Sequence, residues 1–265
     1  MPCALIIFEF GLYIVVLCIE KIAGLCYNRH MKIFRVISNN EKEILLENKC
    51  IFFESDLGDL RKRILFKHPE DYKTGKFFFL TFEEAFNYGK MIKRYRKNSS
   101  ILELEIEEKE IYKYLGFGFY YYPDYDENGR WNDICRHTIT EILLPYIIVD
   151  QKIKDGEFNI ITCSPEMYSQ FSMPKQKERP KYIVELAETL CGFIVNREDI
   201  VEGERCFIED PDDELNIEFL NEAKAEYKKY EALLPQACEN FFINHKNYKP
   251  SEPYDELTNC AKQKS

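Results

Sequence analysis

GKFFFLTFEEAFNYGKMIKRYRK, residues 75–97, changes its period partway along. Gly75 introduces FFFLT, an aromatic run of the kind that fits a pleated, half-buried surface and predicts a strand. EEAFNYGKMIKRYRK then sets Ala85, Phe86, Tyr88, Gly89 and Ile92 along one stripe of an amphipathic helix. The switch falls at Thr81 with no linker between the two periods. This stretch makes residues 31–175 read as one α+β domain.

Upstream, KIFRVIS (residues 32–38) alternates as a half-buried strand should. Asn39 or Asn40 then caps a short helix, whose Glu41 and Glu43 suit the positive end of the helix dipole. Residues 54–75 are polar and irregular. Downstream, SSILELEI (residues 99–106) places Leu102, Leu104 and Ile106 on one face of a strand. EEKEIYKYLG reads as a helix, and FGFYYYPDYDENG (residues 117–129) as an aromatic loop closed by a turn containing Pro123 and Gly129.

TITEILLPYIIV (residues 138–149) is strand-like on both sides of Pro145, which predicts an edge or a bulge there. A short strand over residues 158–163 precedes a helix start with Ser164 as cap and Pro165 in the first turn. Beyond the polar PKQKERPK linker come an amphipathic helix over residues 182–190, an acidic run, and a helix over residues 214–234. The rest shows little periodicity and predicts a loose tail. The chain thus divides into an apolar N-terminal extension (1–30), the α+β domain (31–175) and a helical, acidic C-terminal region (176–265).

The chain is 45% hydrophobic and 15% aromatic, which is enough apolar material for a large core and excludes a disordered chain. Its net charge of −10 argues against a general affinity for phosphate backbones, so no nucleic acid is expected as a partner. The charge is uneven: residues 151–265 hold 15 basic and 23 acidic side chains. Between Arg197 and Glu222 there are eleven acids and two bases, including Asp210, Asp212, Asp213 and Glu214 around Pro211. That run is either a solvated loop and helix start or a contact for a basic partner.

Ten cysteines are scattered with no Cys-x-x-Cys pair, which fits neither a zinc framework nor a small disulfide scaffold. They read as reduced, buried small hydrophobes, suiting a cytoplasmic protein. Residues 4–26 are apolar but interrupted by Glu9, Glu20 and Lys21. The stretch falls short of the about 20 apolar residues a bilayer span needs, and it has no positive leading region. It predicts an extension ahead of an ordinary start at Met31, with membrane contact through residues 4–26 as the alternative.

Chemistry-bearing motifs are sparse. The four histidines leave little room for imidazole catalysis, and no Gly-rich phosphate loop or nucleophile elbow is present. GFGF (residues 116–119) lacks the strand-before, helix-after setting of a dinucleotide fingerprint. His137 stands four residues before Glu141, but on a β-branched stretch that reads as strand, where the spacing makes no metal motif. A hydrolase pairing Glu141 with Asp133 or His137 lacks the geometry such catalysis requires.

What remains is the order of three elements: FRVIS with Arg35, GKFFFLTFEEAFNYG with Thr81, and TITEILLP with Glu141. This arrangement resembles the ADP-ribosyltransferase-like fold over residues 32–150. The resemblance implies an α+β architecture of split, mostly antiparallel sheets with flanking helices. It implies NAD as substrate and transfer of ADP-ribose to an acceptor, expected to be a protein. Glu141 would be the catalytic carboxylate, set against the oxocarbenium-like ribose that develops as the glycosidic bond breaks. Arg35 would hold the phosphate or the nicotinamide-ribose side through its forked donors, with Thr81 positioning one of those groups. Tyr120, Tyr121 and Tyr122 would stack on nicotinamide or substrate, in the region where the family carries its target-recognition loop.

Plainer readings stand beside these. Arg35 pairs with an acid, Thr81 caps the following helix with Glu84 as its box partner, and Glu141 and the tyrosines are ordinary strand residues. Transferases of this kind that modify Arg or Asn carry a Glu or Gln two residues before the catalytic Glu, where this chain has Ile139. Either another acceptor serves or the fold is kept without activity. The competing expectation is a non-enzymatic acidic interaction protein, immunity or antitoxin-like, that binds a basic protein partner.

Overall fold

The computed structural model describes residues 30–51, 64–66, 75–91, 99–125, 131–164, 167 and 179–250; for residues 64–66, 91, 119–125 and 131–137 it describes the backbone alone. The apolar segment 4–26 lies outside the described residues. The elements, in chain order, are β1 (His30–Ser38), α1 (Asn39–Asn48), β2 (Ile64–Phe66), β3 (Gly75–Phe79), α2 (Phe82–Met91), β4 (Ser99–Glu107) and α3 (Glu108–Lys113). They continue with β5 (Leu115–Tyr125), β6 (Trp131–Pro145), α4 (Tyr146–Lys154), β7 (Phe158–Cys163), α5 (Lys181–Glu209) and α6 (Glu214–His245).

The protein is α+β, as its periods predict. Among the described residues all seven strands join one sheet, in the order β2-β5-β6-β3-β1-β4-β7, and every neighbouring pair is antiparallel. A single continuous sheet stands where split sheets were expected.

Its two faces are both buried, each under helices. Met31, Ile33, Ile37, Phe78, Leu102, Leu104, Ile106, Ile142 and Leu144 meet α1, α4, α5 and α6 on one face. Phe34, Val36, Phe79, Ile101, Ile139 and Ile161 meet Phe82, Ala85 and Phe86 of α2 on the other. Burial on both sides explains why FFF (77–79) and ILL (142–144) are apolar without alternation. The C-terminal helices share the main core: Ile183, Leu186, Leu190 and Phe193 of α5 and Leu234, Cys238, Phe241 and Phe242 of α6 belong to it.

Several local expectations are corrected. Ser38, not Asn39 or Asn40, caps α1, its hydroxyl accepting from the Glu41 amide at 3.2 Å. The aromatic stretch 117–125 is strand rather than loop, paired with β6 over its length. Residues 146–149 are helical: Pro145 ends β6 and stands at the N-cap of α4, because the ring fixes φ and supplies no ladder donor. Ser164 does accept from the Met167 amide at 3.4 Å, the bond of an N-cap.

The helix read over residues 182–190 runs on to Glu209, absorbing much of the acidic run. The tail expected after residue 234 is instead helical to His245. There Ala237, Cys238, Phe241, Phe242 and His245 repeat at three- and four-residue steps and are all buried. The helix passes through Pro235, whose cost is offset by that burial.

Helices α5 and α6 form an antiparallel hairpin along a heptad-like seam on α6 of Leu220, Ala223, Tyr227, Tyr230, Leu234, Ala237 and Phe241. Two glycines permit the close approach. A methyl at Gly192 would collide with the Tyr230 ring, and one at Gly203 would stand 3.2 Å from Leu220 and Phe219. The buried members of the core shared with the sheet end at Ile194 on α5 and begin at Leu234 on α6, with Val195, Tyr227 and Tyr230 packed against its edge. Some fifteen residues of α5, roughly 20 Å at the helical rise, therefore carry the hairpin past the shared core as a two-helix arm.

Candidate functional site

Arg35 and Glu141 fall on opposite faces of the sheet. Directly opposed residues of an antiparallel pair share a face. Arg35 opposes Leu102 and shares the parity of Ile33 and Ile37, so it belongs to the large-core face. Glu141 opposes Phe79, which in turn follows the register of Phe34, so it belongs to the face under α2. The Arg35 guanidinium is 7% exposed; Nη2 donates to Glu41 Oε1 and Nη1 to the Phe77 carbonyl, both at 3.3 Å. Glu141 is 1% exposed within its strand.

Thr81 takes the plainer role. Its hydroxyl accepts from the Glu84 amide at 3.2 Å, capping α2. The tyrosines at 120 and 121 sit on β5 opposite His137 and Arg136, and their side chains lie outside the described residues. The expected cleft walled by Arg35, Thr81 and Glu141 is therefore corrected: the sheet itself separates the first from the last. A one-residue change of parity is enough to do this.

Two other assemblies do form, of which the sequence showed only the Thr81 cap of the first and the acids of the second. The first surrounds the β3–α2 junction. Arg179, just ahead of α5, is ion-paired with Glu84 through Nη2 and donates from Nη1 to the Thr138 carbonyl at 3.0 Å. Burial pushes the Glu84 carboxyl above the usual carboxylate range, and Arg179 pulls it back. From the end of α6, His245 Nε2 lies 3.0 Å from the Leu80 carbonyl and Nδ1 3.3 Å from Tyr182 Oη. The ring is sandwiched between Phe241 at 4.7 Å and Tyr248 at 4.6 Å, and Tyr248 in turn donates to Glu83.

These contacts fasten the base of the hairpin to the sheet. Both partners of His245 are satisfied by a neutral imidazole protonated at Nε2, and burial lowers its pKa to about 4. The unfolded ring titrates near about 6.5, so the unfolded state binds the extra proton first as pH falls. The stabilisation is whole above about pH 6.5 and is lost as pH drops toward 4, on the order of 3 kcal/mol in all. Glu84 contributes with the opposite sign. The difference in unfolding midpoint between wild type and His245→Phe, followed from neutral pH to about pH 4, isolates the imidazole; the variant is expected to give the flatter profile.

The second assembly is the far end of the arm. Of the ten exposed large hydrophobic residues among those described, six lie there: Val201, Phe207, Ile208, Leu215, Ile217 and Phe219. A groove of about 440 Å³ between the helices is lined by Phe207, Ile208, Ile217 and Leu220, with Glu204, Asn221 and Lys224. Lys224 pairs with Glu204 at 3.5 Å across it.

The two bases of the acidic run are spoken for locally. Arg205 holds Glu202 and Glu209, and Arg197 holds Glu198. Among the described residues no ion pair engages Asp210, Asp212, Asp213, Glu214 or Glu218. Asp213 caps α6, accepting from the Leu215 amide at 2.9 Å, where an acid favours the helix. Glu209 and Asp210 stand at the opposite pole, the C-terminal end of α5, where the dipole disfavours acids.

Phe207, Ile208, Ile217 and Leu220 went unread because an apolar residue among acids looks like an interrupted pattern until both helices are placed. Arg179 and His245 carried no signal beyond their residue types, since their partners lie 95 and 165 residues away.

Among the described residues there is no cluster of metal-ligating side chains, and no helix is long and apolar enough to cross a membrane. Compared with known proteins, the chain matches no family model, no curated protein and no solved structure.

Proposed function

We propose that this protein is an acidic interaction protein that holds a basic protein partner on the tip of its helical arm. The observation that carries the reading is the concentration of charge there: acids exceed bases by nine between Arg197 and Glu222, against ten in the whole chain. The rest of the protein is close to neutral. A field gathered on a projecting arm steers an oppositely charged partner and sets its orientation more than it adds raw affinity.

Placement costs support the same reading. Acids at the C-terminal end of α5 each forfeit about 0.3–1 kcal/mol against the helix dipole at low salt. Folding alone would favour lysine there. Glu209 is compensated by Arg205, but Asp210 has no ion pair among the described residues, and a residue that breaks a local rule without such a contact points to a role outside the fold.

The nucleotide reading needs Arg35 and Glu141 in one hollow. With the sheet between them that reading loses its support, and labelled NAD is expected to remain unconsumed by the purified chain.

A lysine-rich peptide serves as probe for the tip. It is expected to bind the full chain and to weaken steeply as salt rises past the level where the Debye length is about 8 Å. Reversal of Asp210, Asp212 and Glu218 to Lys, which spares the Asp213 cap of α6, is expected to abolish binding while the melting temperature holds. Undiminished binding after that reversal sinks the proposal.

A further inference from the structure

We infer that the partner presents a basic amphipathic helix, seated by apolar side chains in the groove between α5 and α6 at the arm tip. This rests on the interaction reading above and adds the recognition mode to it.

Charge alone does not account for the tip. A purely electrostatic hook works best fully polar, yet Ile208 is 79% exposed and Leu215 72%. Apolar side chains left in water at the end of a projecting arm promote aggregation unless something covers them. The groove has a graded wall: Leu220, buried, forms the floor, with Phe207, Ile208 and Ile217 rising around it. On α5 the lining residues 204, 207 and 208 share one helical face; on α6 residues 217, 220, 221 and 224 do the same. The α6 wall spans seven steps of the helix, roughly 10 Å. That is the span between the first and last anchors of a helix that docks through positions i, i+3 or i+4, and i+7.

Charge complementarity selects the occupant. The groove's own charges, Glu204 and Lys224, pair with each other, so the excess charge is that of Asp210, Asp212, Asp213 and Glu214 at the turn joining α5 to α6. An apolar seam beside such a turn suits a helix whose apolar stripe is flanked by Lys or Arg. A second copy of this chain would bring two such turns together and be repelled. The chain's own apolar stretch, residues 4–26, carries Glu9 and Glu20 against Lys21 and so offers the wrong charge.

Two synthetic peptides of identical composition test the inference on the full-length chain by fluorescence anisotropy. One is a Leu/Lys helix with its leucines on a single face; the other is scrambled so that they are spread around the helix. The amphipathic peptide is expected to bind at least about tenfold tighter, the worth of one well-seated anchor. Ile208→Ser with Ile217→Ser, both at exposed positions, is expected to bring it down to the scrambled level without moving the melting temperature.

Equal affinity of the two peptides for the wild-type chain would overturn the groove, leaving the acidic tip in place. If neither binds better to wild type than to the tip charge-reversal variant, the tip reading falls as well. Sedimentation of the chain as a dimer that Ile208→Ser dissociates would hand the groove to a second copy and overturn the inference.

Discussion

Replacing Arg179 by methionine is expected to cost the fold about 3–5 kcal/mol, the penalty for stripping one partner from a buried ion pair. Arg179 is 8% exposed and Glu84 3%, so solvent reaches neither charge once the other is gone. Burial already pushes the Glu84 carboxyl upward, and Arg179 is the largest influence holding it ionised. Without the guanidinium, Glu84 must take up a proton or stay charged in a dry site, and the Thr138 carbonyl loses its 3.0 Å donor as well. The pair also ties the start of α5 to the start of α2, so its loss loosens the hairpin at its base.

Denaturant unfolding of the single variants and of Arg179→Met with Glu84→Leu forms the test. The double variant is expected to recover much of the loss, since an apolar pair of similar volume is often no worse than a buried ion pair. A single-variant loss below about 1 kcal/mol would mean that the pair is hydrated and the account of this junction is wrong.

Phe241→Ala is expected to cost about 3–5 kcal/mol, combining the lost transfer energy of a buried ring with the cavity it leaves. Phe241 is fully buried and stacks on His245 at 4.7 Å, with Tyr182 at 5.9 Å and Phe242 at 5.5 Å. It is the point where α6 is pressed into the main core, close to the imidazole that caps the Leu80 carbonyl. The same truncation at Phe207, 40% exposed at the tip, is expected to cost within about 0.5 kcal/mol, as for surface substitutions generally. Urea melts of the two alanine variants decide the matter. Equal losses would show that the arm tip is packed against something and is not the free docking surface argued above.

Both variants bear on one division of labour. The base of the hairpin is built from buried ion-paired and hydrogen-bonded groups and stacked rings. The tip is built from exposed apolar side chains and from acids of which Asp210, Asp212, Asp213, Glu214 and Glu218 make no ion pair among the described residues. Stability lives at the first, and the second is where recognition is proposed.

The local rules were readable one residue at a time. Alternation in SSILELEI put Leu102, Leu104 and Ile106 on one face, and all three lie in the main core. The change of period at Thr81 marked the end of a strand and the capped start of a helix, which is what α2 has. The excess of acids between Arg197 and Glu222 was plain, because charge is additive and needs no fold to be counted.

Tertiary structure decided everything that depended on which neighbour a residue meets. Period two says that residues 33, 35 and 37 share a face, but only the register of β1 against β3 and of β3 against β6 says that Glu141 lies on the other one. Propensity read YIIV after Pro145 as strand, and the burial of Val149 and Ile153 against the core made it helix. The helix expected to end at Leu234 continues to His245 because Cys238, Phe241 and Phe242 have a core to enter. Local propensities are worth tenths of a kcal/mol per residue and the burial of a large side chain about 1.5–3, so where the two disagree the contact wins. Those contacts are made with residues far away in the chain, and a linear reading cannot see them.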